Sequence, residues 1–148
     1  MAIRSLRIVE DPILRKKSKP INNIDDNILN LISDMKETLI KNNGVGLAAV
    51  QIGVLKRLIL VKPEEEINAY INPEIISESD EEELGPEGCL SIPNVSGEVY
   101  RPTWVEVKYT DMSGKEHVKK FYDFEARIFC HEIDHLNGIL FTDKVEEE

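Results

Sequence analysis

The stretch HEIDH at residues 131–135 is the most informative part of this chain. On an α-helix, His131 and His135 lie roughly one turn apart and about 40° apart around the axis, so both imidazoles can bind one metal ion. Glu132 lies at the edge of the same face, where it can exchange protons with a metal-activated water. The stretch therefore predicts a metal-dependent hydrolase.

The residues around this stretch predict a helix over 124–137 that ends at Gly138. Phe124 and Ile128 share the histidine face, and the opposite face is also apolar. The apolar residues of that opposite face are Ala126, Phe129, Ile133 and Leu136. A surface helix carries one apolar stripe, so we expect this helix to be central and buried. A buried helix would hold both histidines rigidly.

The rest of the chain predicts one further helix and several strands. Apolar residues at helical spacing over 24–42 indicate an N-terminal amphipathic helix. The runs typical of strands are Leu58–Val61, Tyr70–Ile71, Glu74–Ser77, Trp104–Thr110 and Val118–Tyr122. This order favours an α+β fold in which antiparallel β-sheets pack around the central buried helix. We expect residues 1–148 to form a single catalytic domain.

Composition restricts the class of protein. With 41% hydrophobic and 31% charged residues, the chain is typical of a globular protein. A net charge of −10 speaks against direct nucleic-acid binding. We interpret the acidic runs at 64–66, 80–83 and 146–148 as solvated loops and a solvated tail. The longest aliphatic run, Leu58–Val61, is far shorter than a membrane span, so we expect a cytoplasmic protein with no membrane partner.

The two histidines need a third metal ligand, because hydrolytic metal ions usually have three protein ligands. The candidates are Cys89, Cys130, His117 and the carboxylates. On the helix, Cys130 would point about 100° away from His131, so we interpret it as a buried apolar residue. His117 is in a predicted strand next to a turn, where a histidine usually faces solvent.

The sequence around Cys89 is EGCLSIP at residues 87–93. Gly88 allows a close backbone approach, and Pro93 is expected to end regular strand pairing. This local geometry suits a thiolate presented to a metal, with the Leu90 backbone N–H free to face a ligand.

The segment GVGLAAVQIG at 44–53 is small and apolar except for Gln51. By itself it predicts a tight connection between a helix and a strand. It lacks the Lys-Ser/Thr pair of a phosphate-binding loop. The single amide needs a polar partner, and a carbonyl oxygen or a metal-bound water would serve.

Together, these stretches resemble peptide deformylase. The family's three signature motifs match in order at 44–51, 87–91 and 131–136. Further matches, at 11–15, 71–73, 101–102 and 138–143, extend the resemblance over nearly the whole chain. The resemblance implies a hydrolase that removes the formyl group from the formylmethionine of newly made bacterial polypeptides.

The resemblance also implies the site. The implied metal ligands are Cys89, His131 and His135. They would hold one divalent metal ion per chain. The native ion would be Fe²⁺, and Ni²⁺, Co²⁺ or Zn²⁺ can replace it. One thiolate and two imidazoles suit each of these four ions. Glu132 would transfer the proton, while the Gln51 amide and the Leu90 N–H would stabilise the negative charge that develops on the formyl oxygen.

Substrate recognition requires an apolar pocket and a partner for the peptide backbone. The predicted lining of the methionine pocket is Phe124, Arg127 (through its aliphatic stem) and Ile128. The backbone groups predicted to pair with the peptide as an added strand belong to Val45, Gly46 and Leu90. We interpret Glu87 and Arg101 as a structural ion pair that shapes the cysteine loop.

Three features depart from the family pattern. Cys130 stands where glutamine is usual, and Asp123 stands where glycine is usual. Neither residue takes part in the chemistry, so we expect activity to be retained. The ribosome stays open as a partner beside the formylated nascent peptide. However, the acidic end Val145–Glu148 does not resemble the basic C-terminal docking helix of some relatives.

Three other hypotheses rank lower. A zinc peptidase of the HExxH type needs a third ligand downstream, where the chain offers Asp143 and Glu146–Glu148 but no histidine. A structural metal site needs four protein ligands. A cysteine hydrolase that uses Cys89 leaves the histidine spacing unexplained.

Overall fold

The computed structural model describes residues 2–146, and these form two α-helices, seven strands and three short 3₁₀ helices. In chain order the elements are a 3₁₀ helix at Pro12–Arg15, α1 at Asp26–Lys41, β1 at Gly46–Ala48, a 3₁₀ helix at Ala49–Ile52, β2 at Leu58–Val61, β3 at Asn68–Glu78, β4 at Glu82–Cys89, β5 at Ile92–Pro102, β6 at Trp104–Thr110, β7 at Glu116–Tyr122, α2 at Asp123–Leu136 and a 3₁₀ helix at Phe141–Asp143.

The strands form two antiparallel sheets. One sheet has five strands in the order β1-β2-β3-β6-β7, and the other is a two-stranded ribbon of β4 and β5. A two-residue turn, Leu90-Ser91, joins the strands of the ribbon, where Cys89 pairs with Ile92. The expected mixture of antiparallel sheets and two helices is confirmed.

Strand β2 shows how the layers pack, because each of its residues is buried. Leu58 and Leu60 belong to the apolar cluster on the α1 side of the sheet. Ile59 and Val61 belong to the cluster on the α2 side. Successive side chains of a strand point to opposite faces, so a continuous aliphatic run covers both faces at once. The large sheet therefore lies between the two helices.

Helix α2 is held by apolar contacts on its sheet-facing side. The Phe129 ring lies 4.1 Å from the ring of Phe121 and 4.7 Å from that of Tyr70, measured between centroids. After the helix, Gly138 has a φ of 76°, and a Cβ there would lie 2.5 Å from the carbonyl oxygen of Arg15. Only glycine fits this left-handed turn, which directs the chain away from the helix.

The ribbon was not predicted from the sequence. The acidic run at 80–83 was interpreted as a solvated loop, but Glu82 and Glu83 begin β4 with exposed side chains. Pro93 interrupts the regular pairing, as expected, but does not end the strand: it lies in β5, next to Asn94, which has a φ of 66°. The register changes from Cys89–Ile92 to Gly88–Ser96, so a bulge accommodates the proline and pairing resumes beyond it.

Two other elements differ from the predictions. The runs Tyr70–Ile71 and Glu74–Ser77 belong to one strand, β3, with a register shift where Asn72 has a φ of 51°. The segment 44–53, predicted to be a plain connection, contains strand β1 and a 3₁₀ helix. Within residues 2–146, neither helix has the length and apolarity needed to cross a lipid bilayer.

Candidate active site

A cavity of about 820 Å³ is formed by three parts of the chain. These are the segment 42–46 that leads into β1, the β4–β5 ribbon, and the first ten residues of α2; Leu6 and Gln51 complete the lining. The residues singled out from the sequence that line it are Val45, Gly46, Gln51, Cys89, Leu90, Phe124, Arg127, Ile128, His131 and Glu132. The cavity therefore collects groups from all three signature motifs.

One set of three potential metal ligands lies within the described part of the chain, formed by Cys89, His131 and His135. Their ligand atoms all lie within 4.8 Å of one another, and Cys89 Sγ is 3.2 Å from His135 Nε2. One sulfur and two imidazole nitrogens suit a divalent transition metal ion. Three protein donors leave a coordination position for water or substrate, so the set fits a catalytic ion.

The orientation of His131 is set by Glu87. His131 Nδ1 lies 3.0 Å from Glu87 Oε1. Burial alone would raise the pKa of Glu87, but hydrogen bonds from Arg101 and His131 outweigh it and lower the pKa to about 2. An ionised carboxylate can only accept, so His131 Nδ1 carries the hydrogen and Nε2 is available to a metal.

Glu87 is the centre of a buried ionic network. Arg101 donates to both oxygens of Glu87, at 2.8 and 2.9 Å, and to Asp134 at 2.7 Å. Arg127 donates to Glu87 at 2.8 Å and to the backbone carbonyls of Glu83 and Val99. Because Arg127 and Asp134 belong to α2, the network ties the ribbon to the helix.

Glu132 is 4% exposed, and its Oε1 has no hydrogen-bond partner among the described residues. Burial raises the pKa of Glu132 to about 7. A Cβ at Gly46 would lie 2.6 Å from Glu132 Oε2 and 2.8 Å from Ile128 Cγ2. Strand β1 therefore approaches α2 so closely at the carboxylate that only glycine fits.

Gln51 lies in the 3₁₀ helix that follows β1, and its side chain is buried. The Ala48 N–H donates to Gln51 Oε1 at 2.9 Å. Gln51 Nε2 donates to Ser91 Oγ at 3.1 Å and lies 3.5 Å from Cys89 Sγ. The amide nitrogen thus faces the potential metal ligands.

The sequence is similar to that of known proteins over nearly its whole length. The family model of polypeptide deformylase matches residues 3–148. A peptide deformylase from Thermoanaerobacter pseudethanolicus is 54% identical over 144 residues, which are 97% of this chain and 90% of that protein. The chain belongs to the polypeptide deformylase family.

Solved structures of deformylases have the same fold. The crystal structure of peptide deformylase from Thermotoga maritima has a TM-score of 0.97 at 37% identity, over 99% of this chain and 100% of that one. A Met-Ala-Ser-bound class I type b peptide deformylase from Acinetobacter baumannii has a TM-score of 0.94 at 36% identity, over 97% and 99% of the two chains. The likeness therefore covers the whole catalytic fold.

Family membership establishes the reaction: a peptide deformylase removes the formyl group from the N-terminal methionine of a polypeptide, and it is metal-dependent. The predicted activity is thereby confirmed. The Cys89–His135 contact alone would also suit a cysteine hydrolase, but the family excludes that role. The zinc-peptidase hypothesis is not favoured either, because the third potential ligand, Cys89, lies upstream of the histidines and not downstream.

Other sequence interpretations can be compared with the deformylase structure. Cys130 is buried among apolar side chains, and burial raises its pKa to about 12. His117 is partly exposed and pairs with Asp111 at 2.7 Å, and it does not belong to the set of potential metal ligands. The predicted Glu87–Arg101 ion pair is present. A Cβ at Gly88 would meet only Val95 O at 3.7 Å, so the expected close backbone approach there is absent.

Three polar contacts of the deformylase site were not predicted. They are the bonds of Ser91 to Gln51, of Asp134 to Arg101 and of Arg127 to Glu87. Ser91 and Asp134 lie inside the signature motifs, so the motifs pointed to them without indicating their partners. Each bond joins segments far apart in the sequence and depends on the fold.

Proposed function

We propose that this deformylase binds one divalent metal ion through Cys89 Sγ, His131 Nε2 and His135 and uses Glu132 as its proton-transfer group. The supporting observation is the convergence of three soft or borderline donors beside a buried carboxylate oxygen without a partner. When bound, such an ion supplies a Lewis acid that activates water and polarises a carbonyl. Glu132 then accepts the proton of the attacking water and delivers it to the departing amine.

The negative charge that develops on the formyl oxygen requires hydrogen-bond donors. We assign these to the Gln51 side-chain N–H and the Leu90 backbone N–H. Both residues line the cavity beside Cys89, and donors fixed in a buried site stabilise such charge strongly.

The peptide binds, in this proposal, as an extra strand along β1. Strand β1 is the last strand of its sheet and pairs with β2 alone among the described strands, so its outer edge can accept a peptide through Val45 and Gly46. Leu90 pairs from the opposite side. The related Acinetobacter baumannii protein binds Met-Ala-Ser, a peptide of the product type.

The methionine side chain would occupy the apolar part of the cavity. Phe124, Ile128 and the stem of Arg127 line that part. The guanidinium of Arg127 is held by Glu87 and by backbone carbonyls, so only its aliphatic stem is available to substrate. This arrangement gives an apolar surface without an unpaired charge.

We propose Fe²⁺ as the native ion, with Ni²⁺, Co²⁺ or Zn²⁺ as substitutes, because the mixed sulfur and nitrogen donors accept all four. We also propose that residues 1–148 act as one catalytic domain in the bacterial cytoplasm, where formylated nascent chains arise. Two free cysteines are consistent with a reducing compartment. In this proposal the ribosome stays open as a second partner beside the nascent chain; of the acidic run 146–148, Glu147 and Glu148 lie outside the described residues.

The proposal is tested by formate release from N-formyl-Met-Ala-Ser by protein prepared anaerobically and loaded with Fe²⁺ or Ni²⁺. We expect Glu132→Gln to retain one equivalent of metal and to lose activity by on the order of 10³-fold or more. Cys89→Ala should lose both metal and activity. Near-normal turnover by Glu132→Gln would contradict the assigned proton transfer. Full metal retention by Cys89→Ala would contradict the ligand set.

The native ion is tested separately by metal analysis of protein purified without oxygen and without added metal. One equivalent of iron per chain is the expected result. One equivalent of zinc with full activity would contradict the assignment of Fe²⁺.

A further inference from the structure

We propose that Ser91 is a positioning residue that aims the Gln51 amide, an inference that rests on the proposed role of Gln51 at the formyl oxygen. Ser91 is completely buried in the two-residue turn of the ribbon. Its hydroxyl accepts a hydrogen bond from Gln51 Nε2 at 3.1 Å. The same turn carries Leu90, and Cys89 immediately precedes it.

The contacts of Gln51 determine which atom of its amide is the donor. The Ala48 N–H can only donate, so the atom facing it at 2.9 Å must be the carbonyl oxygen, Oε1. A flipped amide would place two donors against each other. The NH₂ group is therefore fixed on the side of Ser91 and Cys89.

The two hydrogens of the Gln51 NH₂ group have different partners, Ser91 and Cys89. Nε2 carries two hydrogens. One is directed at Ser91 Oγ at 3.1 Å, and the other at Cys89 Sγ over a longer distance of 3.5 Å. The hydrogen bonded to Ser91 fixes the plane of the amide. The other hydrogen, which makes the weaker contact, is available to the formyl oxygen.

The N-terminal segment holds the backbones of both residues in register. The Arg7 N–H donates to the carbonyl of Gln51 at 2.7 Å, and the Val9 N–H donates to the carbonyl of Ser91 at 2.9 Å. The two donors are two residues apart, as on one edge of an extended chain. The separation between Gln51 and Ser91 is therefore set by a segment that lies outside the three signature motifs.

Ser91 therefore acts on the reaction through Gln51. By orienting the Gln51 amide, it also maintains the contact between Gln51 Nε2 and the Cys89 sulfur. Without the hydroxyl, one amide hydrogen loses its acceptor and the amide can rotate. Misplacing a donor by about 1 Å can lower the rate by roughly 10²-fold. The hydrogen bond to Cys89 Sγ would weaken at the same time, and hydrogen bonds to a ligand sulfur tune the electronic properties of the bound metal.

The experiment compares Ser91→Ala, Gln51→Ala and the double variant in the Ni²⁺-loaded enzyme. Ser18→Ala is the matched control, because Ser18 is also a buried serine but its Oγ has no hydrogen-bond partner among residues 2–146. Ser91→Ala should lower kcat by roughly 10–100-fold with little change in KM. The double variant should be no slower than Gln51→Ala, since the two residues act as one unit.

A second readout does not depend on turnover. In the Co²⁺-loaded protein, the thiolate-to-cobalt charge-transfer band should move to longer wavelength in both Ser91→Ala and Gln51→Ala, because a sulfur without a donor releases electrons more easily. Ser18→Ala should keep the wild-type band. If Ser91→Ala kept the wild-type kcat and the wild-type charge-transfer band while Gln51→Ala was impaired, the inference about Ser91 would be overturned, but the proposed role of Gln51 would stand. Wild-type kcat in Gln51→Ala would overturn the proposed role of Gln51, and the inference with it.

Discussion

Helix α2 and the β4–β5 ribbon both contribute groups to the site, but different forces hold them in place. The sheet-facing side of α2 is packed among aromatic and aliphatic side chains, with Phe129 at the centre. The inward side of the ribbon carries Glu87 and Arg101, and its main link to the helix is an ionic network. The backbone that carries the histidines is therefore fixed by apolar burial, whereas the cysteine strand and the ring orientation of His131 depend largely on buried charges.

This difference has an energetic consequence. Apolar packing is non-directional and tolerates small shifts, whereas a buried carboxylate and guanidinium require correct geometry because each charge is costly without its partner. We therefore expect damage to the helix core to lower the stability of the fold. Damage to the ribbon network should lower stability and metal binding together.

The largest effect is expected from Arg101→Met, which leaves the buried carboxylate of Glu87 and the partly buried carboxylate of Asp134 without their main partner. The free energy of unfolding should fall by about 3–5 kcal/mol, and metal affinity by roughly 10–100-fold because His131 loses its fixed orientation. Urea denaturation measures the free energy of unfolding, and competition with a chelator measures the metal affinity. Arg15→Met is the matched control, since the ion pair of Arg15 with Asp143 is largely exposed and is worth about 1 kcal/mol at most.

Phe129→Ala tests the helix side of the comparison. Its ring is fully buried against Phe121 and Tyr70, so its removal should lower the free energy of unfolding by about 3 kcal/mol. Metal affinity of the folded protein should stay unchanged. A loss of metal affinity as large as that in Arg101→Met would contradict the separation of the two forces. Val118→Ala, at an exposed position, serves as the control.

Gly46→Ala tests the close approach of strand β1 to helix α2 at Glu132. The added Cβ would collide with Glu132 Oε2 and Ile128 Cγ2, so the carboxylate must move. We expect kcat to fall by roughly 10²-fold with metal retained, as measured by formate release and metal analysis. Gly114→Ala provides a contrast, because Gly114 has a φ of 90° and no neighbouring atom within 4 Å. It should lose stability but keep kcat.

The smallest effect is expected where the helix begins. Asp123 has a φ of 54°, a left-handed conformation that glycine adopts without strain. Asp123→Gly should raise the free energy of unfolding by about 0.5 kcal/mol, with activity unchanged. Thermal denaturation would detect the shift. A lower melting temperature would mean that the aspartate side chain stabilises the first turn of α2 by more than the strain costs.

The same contrast explains what could be predicted from the sequence. Helix α2, strand β2 and strand β6 follow from the arrangement of apolar residues, as spaced positions in α2 and β6 and as a continuous aliphatic run in β2. The ribbon leaves no such pattern. Its strands contain Glu82, Glu83, glycine and proline. Of the partners of Arg101 that stabilise it, Glu87 could be predicted, but Asp134 lies 33 residues away on another element.

The site shows a similar division. Cys89, Glu132 and the histidines could be selected because their residue types and spacing fit metal chemistry. The roles of Ser91 and of the N-terminal segment could not be predicted in this way. A serine hydroxyl and two backbone N–H groups have no distinctive sequence pattern, and only the fold brings them to Gln51.

The different burial of the two cysteines also provides a way to measure the fraction of chains that hold a metal ion. Cys89 is partly accessible at the cavity, whereas Cys130 is enclosed in the apolar core. In folded protein an alkylating reagent should thus modify a single sulfur, and a bound ion should shield that sulfur. The fraction of chains that take up one label, measured by mass spectrometry, would equal the fraction without metal. The turnover number of each preparation could then be corrected for its metal content.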